Sequence, residues 1–153
     1  MGGSLYGLAM DAEATATIHA ALDNGINLFD TAAGYGTGHS EELMGSALRG
    51  QRDEVIVVSK FGIFRDEEAG VFRRDGRPEK VRAGCESTLR NLGMDYVDVF
   101  LHHWPDFDTP IAETIGAAKD LVDEGLVRHI GVSNYTVDQL DEALEVVPLV
   151  ANQ

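Results

Sequence analysis

Four side chains have the types that carbonyl reduction needs, and each follows an apolar run. NLFD ends at Asp30, with Tyr35 in the loop beyond it; EVIVVSK ends at Lys60; VDVFLHH ends at His103. Delivering a hydride to a carbonyl carbon requires an acid that protonates the developing alkoxide. A free phenol, with a pKa of about 10, is too weak an acid at neutral pH unless its conjugate base is stabilised. A nearby ammonium does that, a carboxylate paired to the ammonium holds it in place, and an imidazole orients the oxygen or relays a proton. Asp30, Tyr35, Lys60 and His103 therefore suffice for this chemistry if they converge.

Singly, each has an ordinary explanation. Asp30 caps a turn, Tyr35 packs between glycines on the surface, and Lys60 snorkels from a strand end. His102 competes with His103, but strand alternation sends the two to opposite sides, so only one faces a barrel lumen. What favours chemistry is the common location at the carboxyl ends of strand-like runs. Two further runs end alike: HIGVSN at Ser133 and Asn134, and PLVANQ at Gln153.

These positions need elements to hold them. Residues 11–24 have a helical pattern with Ile18 and Leu22 on one face and Gly25 as the stop. Residues 26–30 form a strand, and Ser40 is placed to cap a helix running to about Leu48, with Glu41 and Glu42 at its positive end. Residues 54–61 are β-branched and apolar, as in a buried strand. Pro78 opens a helix that Gly93 closes. Residues 96–103 are a strand, and Thr109-Pro110 starts a helix closed by Gly125. Residues 129–133 are a strand, Thr136 with Gln139 suits a capping box for a helix to about Val146, and residues 149–153 suit a last strand. The stretch Gly62–Arg77 is too long for a minimal turn and is expected to be a loop over the active face or a mobile insertion.

Alternating strands and helices imply a parallel sheet, either doubly wound or an arc of a (β/α)8 barrel, with ligands at the carboxyl ends of the strands. The glycines 34, 36 and 38 do not form the G-x-G-x-x-G turn of a dinucleotide-binding unit, which weakens the open-sheet alternative. No linker or second domain is evident in the 153 residues.

Composition excludes other classes. The formal charge of -14 repels nucleic-acid phosphates and anionic membranes. With only Lys60, Lys80 and Lys119 as lysines, an acidic surface fits a high-salt host as well as it fits a merely acidic protein. No window suits a membrane span and MGGSLYGLAMDAEA lacks the features of a signal peptide, so cytoplasmic residence is expected. Cys85 is the single cysteine. It lies on the apolar face Val81, Cys85, Thr88, Leu89, Leu92, where packing explains it. Adjacent histidines on a strand do not readily share a metal, and none is expected.

At these residues the chain resembles a known family. GINLFDTAAGYGTGHSEELMGSAL is similar to the first signature of the aldo-keto reductases, VIVVSKF to their lysine strand, and YVDVFLHHWPD to their histidine strand. GLVRHIGVSN and ANQ are similar to the two segments that contact the nicotinamide. The order and spacing agree along nearly the whole chain, and HWPD and SEE look like the bacterial and archaeal branches. The resemblance implies a (β/α)8 TIM barrel that uses NADPH, or less often NADH, to reduce an aldehyde, ketone or sugar carbonyl. It implies Asp30, Tyr35, Lys60 and His103 as the catalytic tetrad with Tyr35 as general acid, and Ser133, Asn134 and Gln153, with Asp30 nearby, as the cofactor contacts. Trp104 and Phe61 either line the substrate mouth or pack under a loop. Arg65, Arg73, Arg74 and Arg77 either attract an acidic substrate or form a solvated loop face, the safer expectation.

A barrel of this kind takes about 250 residues. The resemblance therefore implies one partial barrel domain over 1–153, covering roughly strands two to six, with the adenosine-phosphate grip beyond it. Two exposed barrel edges would invite self-association. The alternatives are an inactive fragment and a cofactor-binding regulatory module of the same fold.

Overall fold

The computed structural model describes residues 11–66 and 68–153. The expectations for MGGSLYGLAM lie outside them. Four parallel strands form one sheet in the order β1-β2-β5-β6: β1 Leu28–Asp30, β2 Ile56–Phe61, β5 Val97–His102 and β6 Val127–Val132. The helices α1 Asp11–Asp23, α2 His39–Ala47, α3 Pro78–Leu92, α4 Ile111–Asp123 and α5 Val137–Leu144 separate or follow them.

The register divides the sheet into two faces. Lys60 stands beside Leu101 and Asp30 beside Val58, while Phe61 stands beside His102 and Ser59 beside Phe100. Because side chains alternate along a strand, Asp30, Lys60 and Leu101 share one face and Phe29, Val57, Ser59, Phe61, Phe100 and His102 the other. The second face carries the core: Phe29, Val57, Phe61 and Phe100 pack with Ile18 of α1, Met44 of α2, Val81, Cys85 and Leu92 of α3, and Leu121 of α4. The first face is open at its amino end, where Leu28 and Ile56 are 52% and 39% exposed. Cys85 is fully buried, and desolvation pushes its thiol up to about 11.

Most element boundaries follow their sequence signals. Gly25 and Gly93, at positive φ, end α1 and α3. Thr136 and Gln139 make the reciprocal capping box of α5. Three expectations are corrected. Ser40 is not the cap of α2: Gly38, in the left-handed region, holds that position, and Ser40 turns inward to accept a hydrogen bond from Thr31 Oγ1 at 3.0 Å. The stretch 62–77 is not irregular. It folds as an antiparallel hairpin, β3 Ile63–Asp66 and β4 Val71–Arg74, turned at Gly70 with positive φ. Its exposed polar and apolar residues mix too evenly for a clear period. Residues 149–153 do not form a full strand. They meet β6 through one parallel bridge, Val132 to Asn152, with backbone bonds on either side of it.

Candidate active site

β1 and β2 place Asp30 and Lys60 side by side on the open face. The Lys60 ammonium donates to Asp30 Oδ1 and, at 3.0 Å, to the Thr31 carbonyl. The lysine side chain is 1% exposed and the aspartate 30%. Asp30 is thus the partner of a buried ammonium rather than a turn cap. The loop after β1 bends back so that the Tyr35 ring centroid lies 5.3 Å from Lys60 Nζ. The residue after β5, His103, sets its imidazole edge-on to that ring, with centroids 6.0 Å apart. The four expected residues therefore surround one point.

The two neighbouring histidines separate as alternation requires. His102 is buried against the core, its ring stacked on Phe61 at 5.1 Å and its Nδ1 2.7 Å from the Tyr135 hydroxyl. His103 faces the Lys60 side, where desolvation first and the Lys60 charge second push its imidazole down to about 4. A neutral ring beside the phenol can donate a hydrogen bond to an oxygen placed between them.

Ser133, Asn134 and Gln153 join the same rim. Asn134 adopts a left-handed backbone with φ 61°, and its Nδ2 donates to the His103 carbonyl and to Ser133 Oγ, each at 2.9 Å. Its backbone N–H donates to the Gln153 carbonyl at 2.9 Å. Gln153 Nε2 in turn reaches Asp30 Oδ2 at 3.1 Å. Gln153 lies beyond β6 and Asp30 lies on β1, the opposite edge. In a flat sheet they would stand roughly four strand spacings, about 19 Å, apart, which no glutamine can span. The sheet must curl with its open face inside, as in the wall of a barrel.

Other expectations resolve differently. Phe61 is a core residue, 2% exposed. Trp104 is at the surface under the Arg74 guanidinium, 4.7 Å from its ring centre, and Phe107 is the next ring, at 5.6 Å. Arg73 pairs with Asp66, and Arg77 with Asp75. A cleft of about 310 Å³ opens between the Tyr35 loop, the hairpin and α3; it touches the centre at Lys60 but is not lined by Asp30, Tyr35 or His103. Among the described residues no three His, Cys, Asp or Glu side chains group to hold a metal, and no helix is long and apolar enough to cross a membrane.

Sequence reasoning missed two buried polar groups, the His102–Tyr135 pair and the Glu41 carboxylate. Glu41 could have been found: Ser59 inside IVVSKF and Thr88 on the apolar face of α3 are polar residues at buried positions, and both turn out to bond it.

A sequence model described as the aldo/keto reductase family matches residues 2–153. An NADH-specific methylglyoxal reductase of Escherichia coli is 39% identical over 133 residues, 79% of this chain and 41% of its own. The structure of a glycerol dehydrogenase from Gluconobacter oxydans superposes with a TM-score of 0.89 at 41% identity, over 98% of this chain and 47% of that one. An aldo-keto reductase from Klebsiella pneumoniae in complex with NADPH superposes with a TM-score of 0.79 at 32% identity, over 93% and 47%. The chain spans under half the length of these relatives.

Proposed function

Because the chain belongs to the aldo/keto reductase family, we propose that residues 1–153 are part of one barrel domain and carry the reaction centre of an NAD(P)H-dependent carbonyl reductase. The convergence of Lys60, Tyr35 and His103 on one point, with Asp30 behind the ammonium, is the observation that supports it. A bound nicotinamide cofactor would supply the hydride to the carbonyl carbon. Tyr35 gives its phenolic proton to the carbonyl oxygen as that oxygen becomes an alcohol. The Lys60 ammonium stabilises the phenolate left behind, and Asp30 holds the ammonium. His103, kept neutral, orients the oxygen from the other side.

The rim has groups to hold a carboxamide. Asn134 uses both amide hydrogens on the protein, which leaves its Oδ1 as an acceptor, and Gln153 Nε2 retains a second hydrogen beyond the one given to Asp30. Ser133 Oγ stands beside them. The Klebsiella complex puts NADPH first, and the NADH-specific Escherichia relative keeps NADH as the other candidate. The names of the Escherichia methylglyoxal reductase and the Gluconobacter glycerol dehydrogenase support starting a substrate screen with small polar carbonyls and polyols. Among the described residues β1 pairs with a strand on one side only, which supports self-association through an exposed strand edge at high concentration.

The test is Tyr35→Phe in the full-length protein. Turnover of NADPH with small aldehydes should fall by a factor of about 100 or more, while NADPH fluorescence still reports binding at the wild-type affinity. Unchanged turnover in the phenylalanine variant would overturn the assignment of the acid. Wild-type binding without turnover of any carbonyl would favour a regulatory, cofactor-binding role.

A further inference from the structure

One buried carboxylate has no part in this chemistry. Glu41, in the first turn of α2, has no exposed surface. Its Oε1 accepts from Ser59 Oγ at 2.7 Å and from Thr88 Oγ1 at 2.9 Å, and its Oε2 accepts from Asn91 Nδ2 at 2.8 Å. All three donors are neutral, and among the described residues no ion pair involves it. A carboxylate taken out of water is costly unless it is fully bonded, and a packed neutral side chain is often as stable. Stability alone therefore does not explain an acid here.

What the carboxylate does is join three elements, α2, β2 and α3. Ser59 immediately precedes Lys60 on β2. Thr88 and Asn91 are one turn apart on α3. Glu41 itself follows the loop that carries Tyr35, and that loop is already tied to the helix: Thr31 Oγ1 donates to Ser40 Oγ, and the Ser40 N–H donates to the Tyr35 carbonyl at 3.3 Å. Gly38, between Tyr35 and Glu41, sits so close to α3 that a Cβ there would lie 2.7 Å from Asn91 Nδ2.

We infer that Glu41 is a positioning residue that holds the Tyr35 loop in register with β2 and so sets the separation between the Tyr35 ring and the Lys60 ammonium. The inference deepens the reductase assignment and rests on it for its kinetic test. Ser59 is the tie to the strand that bears the lysine; Thr88 is a tie to the helix only.

Ser59→Ala and Thr88→Ala each remove one hydroxyl donor from the same oxygen, so their effects on the thermal midpoint should be similar. In the full-length protein, Ser59→Ala should lower kcat about 10-fold or more with KM nearly unchanged, because small misplacements of reacting groups are costly, whereas Thr88→Ala should stay within about threefold of wild type. Glu41→Gln keeps the acceptor for Ser59 and Thr88, and the Asn91 amide can turn to accept from the new one, so it should retain most of the kcat that Glu41→Ala loses. Equal kcat losses in Ser59→Ala and Thr88→Ala, following stability alone, would overturn the inference. If the wild type reduces no carbonyl, the reductase assignment fails separately. Crystal structures of the two variants then decide: the Tyr35–Lys60 separation of 5.3 Å should grow in Ser59→Ala and hold in Thr88→Ala, and no change in Ser59→Ala sinks the inference.

Discussion

Gln153 Nε2 donates to Asp30 Oδ2 across 3.1 Å although the two residues stand at opposite edges of the sheet. Asp30 thereby accepts from two donors, Gln153 and the Lys60 ammonium. The bond measures the curl of the sheet and places Gln153 against β1.

The Asp30–Lys60 pair should be energetically lopsided. Asp30→Ala leaves an ammonium whose side chain is 1% exposed, with the Thr31 carbonyl as its remaining hydrogen-bond acceptor among the described residues. That should cost about 3 kcal/mol, as for other broken buried pairs. Lys60→Met instead leaves a carboxylate open to water and to Gln153, and should cost about 1 kcal/mol or less. Equilibrium urea midpoints will give the order; equal costs would contradict the burial of the ammonium.

Stability should fall with acid in a defined window. Desolvation holds His102 and His103 at about 4, below the ordinary 6.5, and the Lys60 charge adds to the effect at His103. Between those values the unfolded chain binds protons that the folded chain does not, so stability is complete above 6.5 and declines as pH falls toward 4. The loss should reach about 3 kcal/mol for buried His102 and less for partly solvated His103. Urea denaturation across this range, in wild type and His103→Asn, will measure it, and His103→Asn should flatten part of the slope. An imidazole resonance of His103 that titrates near 6.5 in the folded protein would refute it.

Asn134 should tolerate glycine better than alanine. Both substitutions lose the side-chain bonds to His103 and Ser133, but only glycine accepts φ 61° without strain. Asn134→Ala should therefore be less stable than Asn134→Gly by about 1 kcal/mol. Thermal midpoints of the two variants give the comparison, and the reverse order would mean that the left-handed backbone relaxes at no cost.

Gly45→Ala should destabilise, against helix propensity. Alanine favours an exposed helical position over glycine by about 1 kcal/mol. At position 45 a Cβ would lie 2.0 Å from the Leu92 carbonyl oxygen, so α2 and α3 would have to part. A net loss of about 2 kcal/mol is expected, typical of overpacking against backbone. A raised unfolding midpoint would show that the two helices separate freely.

The sequence by itself determined the alternation of strands and helices, most of their ends, and the four residue types at the strand ends. These are local properties: apolar period, Gly25 and Gly93 as stops, Pro78 as a start, and the Thr136–Gln139 box act over a few residues. Alternation along one strand was also enough to separate His102 from His103. The tertiary structure alone decided what depends on contacts between distant segments. Gly38 replaced Ser40 as the cap because Thr31 draws the Ser40 hydroxyl inward. The 62–77 stretch became a hairpin because pairing Ile63–Asp66 with Val71–Arg74 satisfies backbone groups that no local pattern advertised. Glu41 resembled an acid serving a helix dipole until its donors arrived from β2 and α3, 18 to 50 residues away. The meeting of Gln153 with Asp30, 123 residues apart, follows from the curl of the whole sheet, and no spacing within the chain encodes that distance.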